Sequence, residues 1–168
     1  MNTAPAADWS AAARSALAGS DAALAARVDR GEDVDALLVA RTREVDALVR
    51  EAWAQCLPED APLALFAVGG YGRGELFPQS DIDVMVLAEA SAQARWHEAL
   101  SQLFALLWDA GLPAGHAVRS RAQCTEAARG DITVLTALLE ARPLCASEAD
   151  VAALAAAVEP ALAWPAAF

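Results

Sequence analysis

The chain has 168 residues, enough for one domain or one domain with a small helical appendage, and long enough to bury a real core. Its 57% hydrophobic content owes much to alanine, and no apolar run approaches the ~18 residues that a membrane helix needs. Formal net charge is -11 and all 12 basic side chains are arginine, which excludes a P-loop, a Schiff-base lysine and a kinase of the β3-lysine type, and leaves no basic run for nonspecific nucleic-acid binding.

Asp8 precedes the first arginine and no apolar core follows a basic start, so a secretory leader is not expected. Residues 7 to 28 are alanine-rich, with Trp9, Leu17, Leu24 and Val28 as larger apolar points, and read as a helix broken by Gly31 and the pair Glu32-Asp33. From Val34, the residues Leu37, Leu38, Val45, Leu48, Val49, Ala52, Trp53 and Cys56 recur at three- and four-residue steps, the stripe of an amphipathic helix. Arg41, Arg43, Glu44, Arg50 and Glu51 are placed mostly off that face, and Pro58 stops the helix.

Leu63 to Val68 is a short unbroken apolar run between Pro62 and a glycine cluster, and reads as a buried strand. Ile82 to Leu87 is a second. The linker between them, GGYGRGELFPQSD, has room for a short helix whose position the sequence does not specify. Ser91 to Ala110 carries Trp96, Leu100, Leu103, Phe104, Leu107 and Trp108 at helical spacing, with Gly111 as the stop. Ala114 to Arg119 is a candidate third strand. Asp131 suits the N-cap of a helix carrying Ile132, Val134, Leu135, Leu138 and Leu139, with Pro143 at its end. Val151 to Val158 is a last helical piece, loosened by Pro160 and Pro165. The five tryptophans, Trp9, Trp53, Trp96, Trp108 and Trp164, read as packing residues. The expected organisation is a helical extension over residues 1–58, a core over 59–150, and the start of a further helical segment over 151–168. The fold class is α/β (α+β): a small mixed sheet flanked by helices.

Cys56, Cys124 and Cys145 are odd in number and form no CxxC, which fits a reduced, cytoplasmic setting with the thiols as small buried apolar groups. His97 and Glu98 are not followed by a histidine at 101, so HExxH fails.

The chemistry lies in Val68-Gly69-Gly70-Tyr71-Gly72-Arg73-Gly74-Glu75 and in Asp81-Ile82-Asp83-Val84. In an extended chain residues i and i+2 share a side, so Asp81 and Asp83 project together with Ile82 turned to the core. Two carboxylates that close repel unless a cation or proton lies between them. A hard divalent ion is the natural partner, and Mg²⁺ usually shares its shell with phosphates. Gly69 and Gly70 at a strand end permit a tight turn and close backbone approach, with amides able to face phosphate oxygens. Arg73 adds a fixed cation for phosphate. Tyr71 stacks on a base or packs, with packing the more ordinary role; Glu75 pairs with Arg73 or sits in solvent.

The pattern hydrophobic–Gly–Gly, about ten residues, then Asp–hydrophobic–Asp–hydrophobic resembles the nucleotidyltransferase superfamily that includes DNA polymerase β. GGYGRGELFPQSDIDVMVL, with GLPAGHAVRS, Cys124 and DITVLTALLEARPL, closely resembles the N-terminal domain of the bacterial PII-protein uridylyltransferase/uridylyl-removing family, over roughly residues 30 to 150. The resemblance implies transfer of UMP from UTP to a tyrosine of the PII nitrogen-signalling protein, with pyrophosphate released. It implies Asp81 and Asp83 as catalytic metal ligands for two Mg²⁺ ions, and Gly69 and Gly70, with Ser80, at the nucleotide. No nucleic acid and no membrane is expected as partner.

The chain departs from the family in two ways. The superfamily usually has a third carboxylate on a later strand, but AGHAVR holds His116 and no acid. Asp131 and Glu140 are the nearest alternatives, the first equally a helix cap and the second equally a solvated helix residue. The chain also has no His-Asp dipeptide, so the uridylyl-removing metal site of the family is absent, and a fragment lacking the HD and glutamine-sensing ACT domains is expected. Two further readings stay open: a degenerate nucleotide-binding or interaction module, and a related transferase with another nucleotide or acceptor.

Overall fold

A computed structural model describes residues 6–162. Its elements are α1 (Ala6–Asp29), α2 (Val34–Cys56), β1 (Ala64–Ala67), α3 (Gly69–Gly72), β2 (Ile82–Leu87), α4 (Ala90–Asp109), β3 (Ala114–Arg119), α5 (Arg121–Gly130), α6 (Ile132–Leu139), β4 (Arg142–Cys145) and α7 (Glu148–Leu162). They divide into two compact units. Within the described range, one holds residues 6–61, Gly74–Ile82 and His97–Gly115, and the other Pro62–Arg73, Asp83–Trp96 and residues 116–162. Trp164 and Pro165 lie outside the described residues.

The first unit is built on α1 and α2, which contact one another. Asp33 caps α2 by accepting from the Ala36 N–H, and Pro58 follows the Leu57 C-cap, whose N–H donates to the Trp53 carbonyl. Leu37, Val45, Val49, Ala52 and Trp53 are buried, as the spacing predicts, but so are Arg41, Thr42 and Asp46. The placement of Arg41 off the apolar face is therefore corrected. It stands four residues from both Leu37 and Val45, so it shares their side of the helix. Its guanidinium is ion-paired with Asp21, and its Nε finds no hydrogen-bond partner among the described residues. Burial holds its pKa below the ordinary arginine range, partly offset by Glu44.

Arg14 Nε donates to the Asp109 carbonyl at 3.1 Å, and Thr42 Oγ1 to the Gly74 carbonyl at 3.0 Å. Gly111, at φ +83, makes the left-handed stop after α4. Trp9 donates its indole N–H to Glu51 at 3.1 Å, and Trp53 is buried. Trp108 is not a packing residue: it is 60% exposed, because it lies one step past Leu107 on a helix whose buried line is Leu100, Leu103 and Leu107.

The second unit carries β1, β4, β2 from Asp83 and β3 from His116, in a sheet of order β3-β2-β1-β4. β1 is antiparallel to β2, with Phe66 opposite Met85 and Ala67 opposite Val84, and antiparallel to β4, with Ala67 opposite Arg142. Ile82 and Ala88 N–H groups donate to the Pro113 and Arg119 carbonyls; the partner numbers rise together, so β2 and β3 run parallel and the sheet is mixed. The expected mixed sheet flanked by helices is thus found.

Ala64, Phe66, Met85 and Leu87 of the strands form a core with Cys124, Ala128, Leu135, Leu138, Leu154, Ala157 and Val158 of the helices. Each large side chain buried here contributes about 1.5–3 kcal/mol. The hydropathy pattern does not predict α5. It is opened by a capping box in which Ser120 accepts from the Gln123 N–H and the Gln123 side chain accepts from the Ser120 N–H. Asp131 caps α6 by accepting from the Thr133 N–H at 2.7 Å, as predicted. α6 ends at Leu139 rather than running to Pro143, which instead sits in the edge strand β4, where a missing N–H is tolerated. α7 continues through Pro160 near its C-terminal end, beyond the predicted stop at Val158.

Candidate active site around the glycine turn

The apolar run of β1 ends at Val68, whose N–H donates to the Asp83 carbonyl at 2.9 Å. The chain then turns into α3, a single helical turn of sequence GGYG. Gly69 opens it at φ +60, a left-handed conformation that favours glycine. A Cβ on Gly69 would stand 3.6 Å from Asp83 Oδ2, so the absent side chain leaves the backbone open beside that carboxylate. Gly70 follows within the turn, half-buried. Asp83 is the exposed second residue of β2, and the buried strand residues around it give the pattern of an otherwise closed strand.

Asp81 immediately precedes β2 and is exposed, and Ile82 is fully buried. Exposed, buried, exposed is the alternation expected for two acids leaving one side of an extended chain. Ser80 is exposed, and its N–H donates to the Phe77 carbonyl at 3.1 Å.

Arg73, the C-cap of α3, is ion-paired with Glu140, Nη1 to Oε2 at 2.6 Å, with the two side chains 44% and 34% exposed. Glu140 is therefore the ion-paired C-cap of α6, partly exposed, and not a residue within that helix. Asp131 is engaged as a cap, and His116 is an exposed residue of β3. Tyr71 is 2% exposed and packs, with the Arg142 guanidinium 5.4 Å from its ring centroid.

Arg142 is a site residue that sequence reasoning misses. It donates from Nη2 to the Tyr71 carbonyl at 3.2 Å and from Nε to the Gly72 carbonyl at 3.3 Å. Gly72 itself faces the Glu140 backbone: a Cβ there would lie 2.5 Å from the Glu140 carbonyl oxygen and 3.0 Å from that of Ala67. The glycines thus have different reasons, Gly69 a left-handed turn beside an acid and Gly72 a close approach of two backbones. The only sequence signal for Arg142 is its place in the DITVLTALLEARPL stretch.

Exposed carboxylates, an open glycine backbone and a cation on the same turn can bind a metal ion and a polyphosphate. No group of three or more His, Cys, Asp or Glu suited to a metal ion occurs among the described residues. Asp81 and Asp83 would leave further positions to phosphate and water oxygens, which is how Mg²⁺ is usually held. The hard oxygen donors therefore fit that ion.

Residues 47–129 match the family model of the nucleotidyltransferase domain. The chain is 60% identical over 159 residues to a bifunctional uridylyltransferase/uridylyl-removing enzyme of Xanthomonas campestris pv. campestris (strain B100), covering 95% of this chain and 18% of the relative. The proteins of the same name from Xanthomonas euvesicatoria pv. vesicatoria (strain 85-10) and Ectopseudomonas mendocina (strain ymp) are 56% and 43% identical, over 95% and 82% of this chain and 18% and 16% of their own lengths. The chain thus spans less than a fifth of the length of these relatives. By these matches residues 47–129 are similar to the nucleotidyltransferase domain, and the chain, over nearly all its length, is similar to part of the bifunctional uridylyltransferase/uridylyl-removing enzymes.

Proposed function

We propose that this chain is the transferase part of a uridylyltransferase, moving UMP from UTP to a tyrosine hydroxyl of a PII signalling protein and releasing pyrophosphate. The observation that carries the reading is the side-chain-free Gly69 backbone beside the exposed Asp83 carboxylate, two residues after the exposed Asp81. The relatives' names supply the uridylyl group; the tyrosine acceptor and PII come from the resemblance of the GGYGRGELFPQSDIDVMVL stretch.

In this reading Asp81 and Asp83 are the catalytic acids and would hold two Mg²⁺ ions. Magnesium bound there supplies neutralisation of the triphosphate and activation of the attacking oxygen. The chain's own residues position the reactants. Gly69 and Gly70 bring main-chain N–H groups to the phosphates. Arg73 offers a guanidinium to the same anion, shared with Glu140 until the nucleotide arrives. Ser80 adds a hydroxyl next to Asp81. Orienting the α-phosphorus against the acceptor, with charge compensated, accounts for most of what such a protein must do. The three cysteines, none of them in a disulfide, and the nucleotide substrate suit a cytoplasmic setting. No helix among the described residues is long and apolar enough to cross a membrane.

A degenerate module remains the second reading, because Asp131 and Glu140 are both engaged elsewhere and leave no third acid assigned. The test is UTP binding with Mg²⁺, followed by pyrophosphate release with PII protein present. Release with labelled PII supports the proposal. Binding without release supports the degenerate module, and release only with another nucleotide or acceptor moves the substrate assignment.

A further inference from the structure

We propose that Arg142 is a positioning residue for the glycine turn, fixing where Gly69 stands beside Asp83; this rests on the nucleotidyl-transfer reading above. Three of the four residues of α3 are glycine, and an isolated turn of that composition does not hold itself. Of its C-terminal carbonyls, that of Tyr71 accepts locally from the Arg73 N–H, and a donor from outside the turn adds to that hold. Arg142 is that outside donor: two nitrogens of one planar guanidinium reach two successive carbonyls, Tyr71 and Gly72, while its face covers the Tyr71 ring.

The donor is itself anchored. Arg142 opens β4 opposite Ala67, the last residue of β1, and β1 leads into α3. Two residues earlier, Glu140 presses its carbonyl against Gly72 and pairs its carboxylate with Arg73. The segment from Glu140 to Arg142 therefore grips the far end of the turn whose near end, Gly69, faces Asp83 Oδ2. A lysine places one ammonium on a flexible stem and cannot reproduce a two-point grip in one plane. Without the grip, a nucleotide would have to order the turn as it bound, which weakens binding and misaligns the reacting atoms.

The experiment compares parent, Arg142→Lys and Arg142→Ala in the full-length protein, by melting temperature, by hydrogen exchange of the amides of residues 69–73, and by UMP transfer with UTP varied, with and without millimolar guanidinium. The expected result is a folded Arg142→Ala protein with faster exchange confined to the turn, and a KM for UTP raised about tenfold or more. Guanidinium should restore part of the loss, and Arg142→Lys should lie between. Parent-like exchange and KM in folded Arg142→Ala overturn the proposal, as does an activity loss that guanidinium does not relieve. If Arg142→Ala fails to fold, Arg142→Lys decides by the same readouts: faster turn exchange with raised KM supports the grip, and parent values in both overturn it. If the parent transfers nothing, the nucleotidyl-transfer reading fails, and exchange at residues 69–73 still decides whether Arg142 holds the turn.

Discussion

Replacing Gly72 by alanine adds one methyl where two backbones meet. The new Cβ would sit 2.5 Å from the Glu140 carbonyl oxygen and 3.0 Å from that of Ala67, against ordinary contacts that begin at 3.4 Å. Neither oxygen can swing away like the end of a side chain, because Ala67 closes β1 and Glu140 leads into β4. Relief requires α3 to move off β4, which also lengthens the Arg142 bonds to Tyr71 and Gly72. Overpacking of this kind costs about 1–3 kcal/mol. Alanine's smaller unfolded-state entropy returns about 0.4–1 kcal/mol. From the middle of each range the net loss expected is about 1.3 kcal/mol, or a melting temperature lower by roughly 3–5 °C for a chain of this size. Gly19, in α1, would have nothing within 4 Å of an added Cβ, so Gly19→Ala is the control and should gain about 0.5–1 kcal/mol. Urea and thermal unfolding followed by circular dichroism measure both. A Gly72→Ala protein as stable as the parent, or one that responds as Gly19→Ala does, refutes the close-approach argument.

Ser120→Ala removes one half of the α5 capping box and should cost about 1 kcal/mol in urea unfolding; no loss would show that the box contributes nothing. Arg41→Met should cost less than Asp21→Ala, because the first removes a buried, poorly solvated cation and the second leaves it unpaired. The reverse order in a melting series would contradict that reasoning. Burial pushes the Cys124 thiol above its ordinary pKa, with the Arg119 charge opposing and the Glu89 charge assisting. A raised folded-state pKa means that the native protein holds its proton longer. That contribution to stability is fully present below the unfolded thiol's pKa of about 8.5 and is lost as pH rises through the folded value. Cys124→Ala should therefore flatten the alkaline limb of the stability curve, and an unchanged limb would count against it.

Much of this fold is legible because its strands are written as short apolar runs. β1 and β2 stand between prolines, glycines and acids, and β3 follows the Gly111 stop. β4 is not legible, since its proline reads as a helix end and only an edge position makes it acceptable in a strand. α5 hides for another reason: only Cys124 and Ala128 are buried in it, too little for a periodic stripe, although Ser120 and Gln123 at capping-box spacing are a usable signal. At Arg41 the charge argues for the surface and the periodicity for the core, and the periodicity governs in the structure. In the site, the glycines and the Asp-x-Asp pair are visible because turn chemistry and strand alternation are local. Arg142 is not, because it reaches Tyr71 and Gly72 only through the pairing of β4 with β1.

The proposed function rests on the two exposed acids flanking Ile82 holding the metal-bound nucleotide for transfer. The most direct measurement is transfer of label from α-labelled UTP to PII protein by the Asp81→Asn/Asp83→Asn double variant beside the parent, with the circular dichroism spectrum of each recorded. If the pair holds the nucleotide, the double variant keeps a parent-like spectrum and its transfer falls by more than about 100-fold. Parent-like transfer by the folded double variant would contradict it.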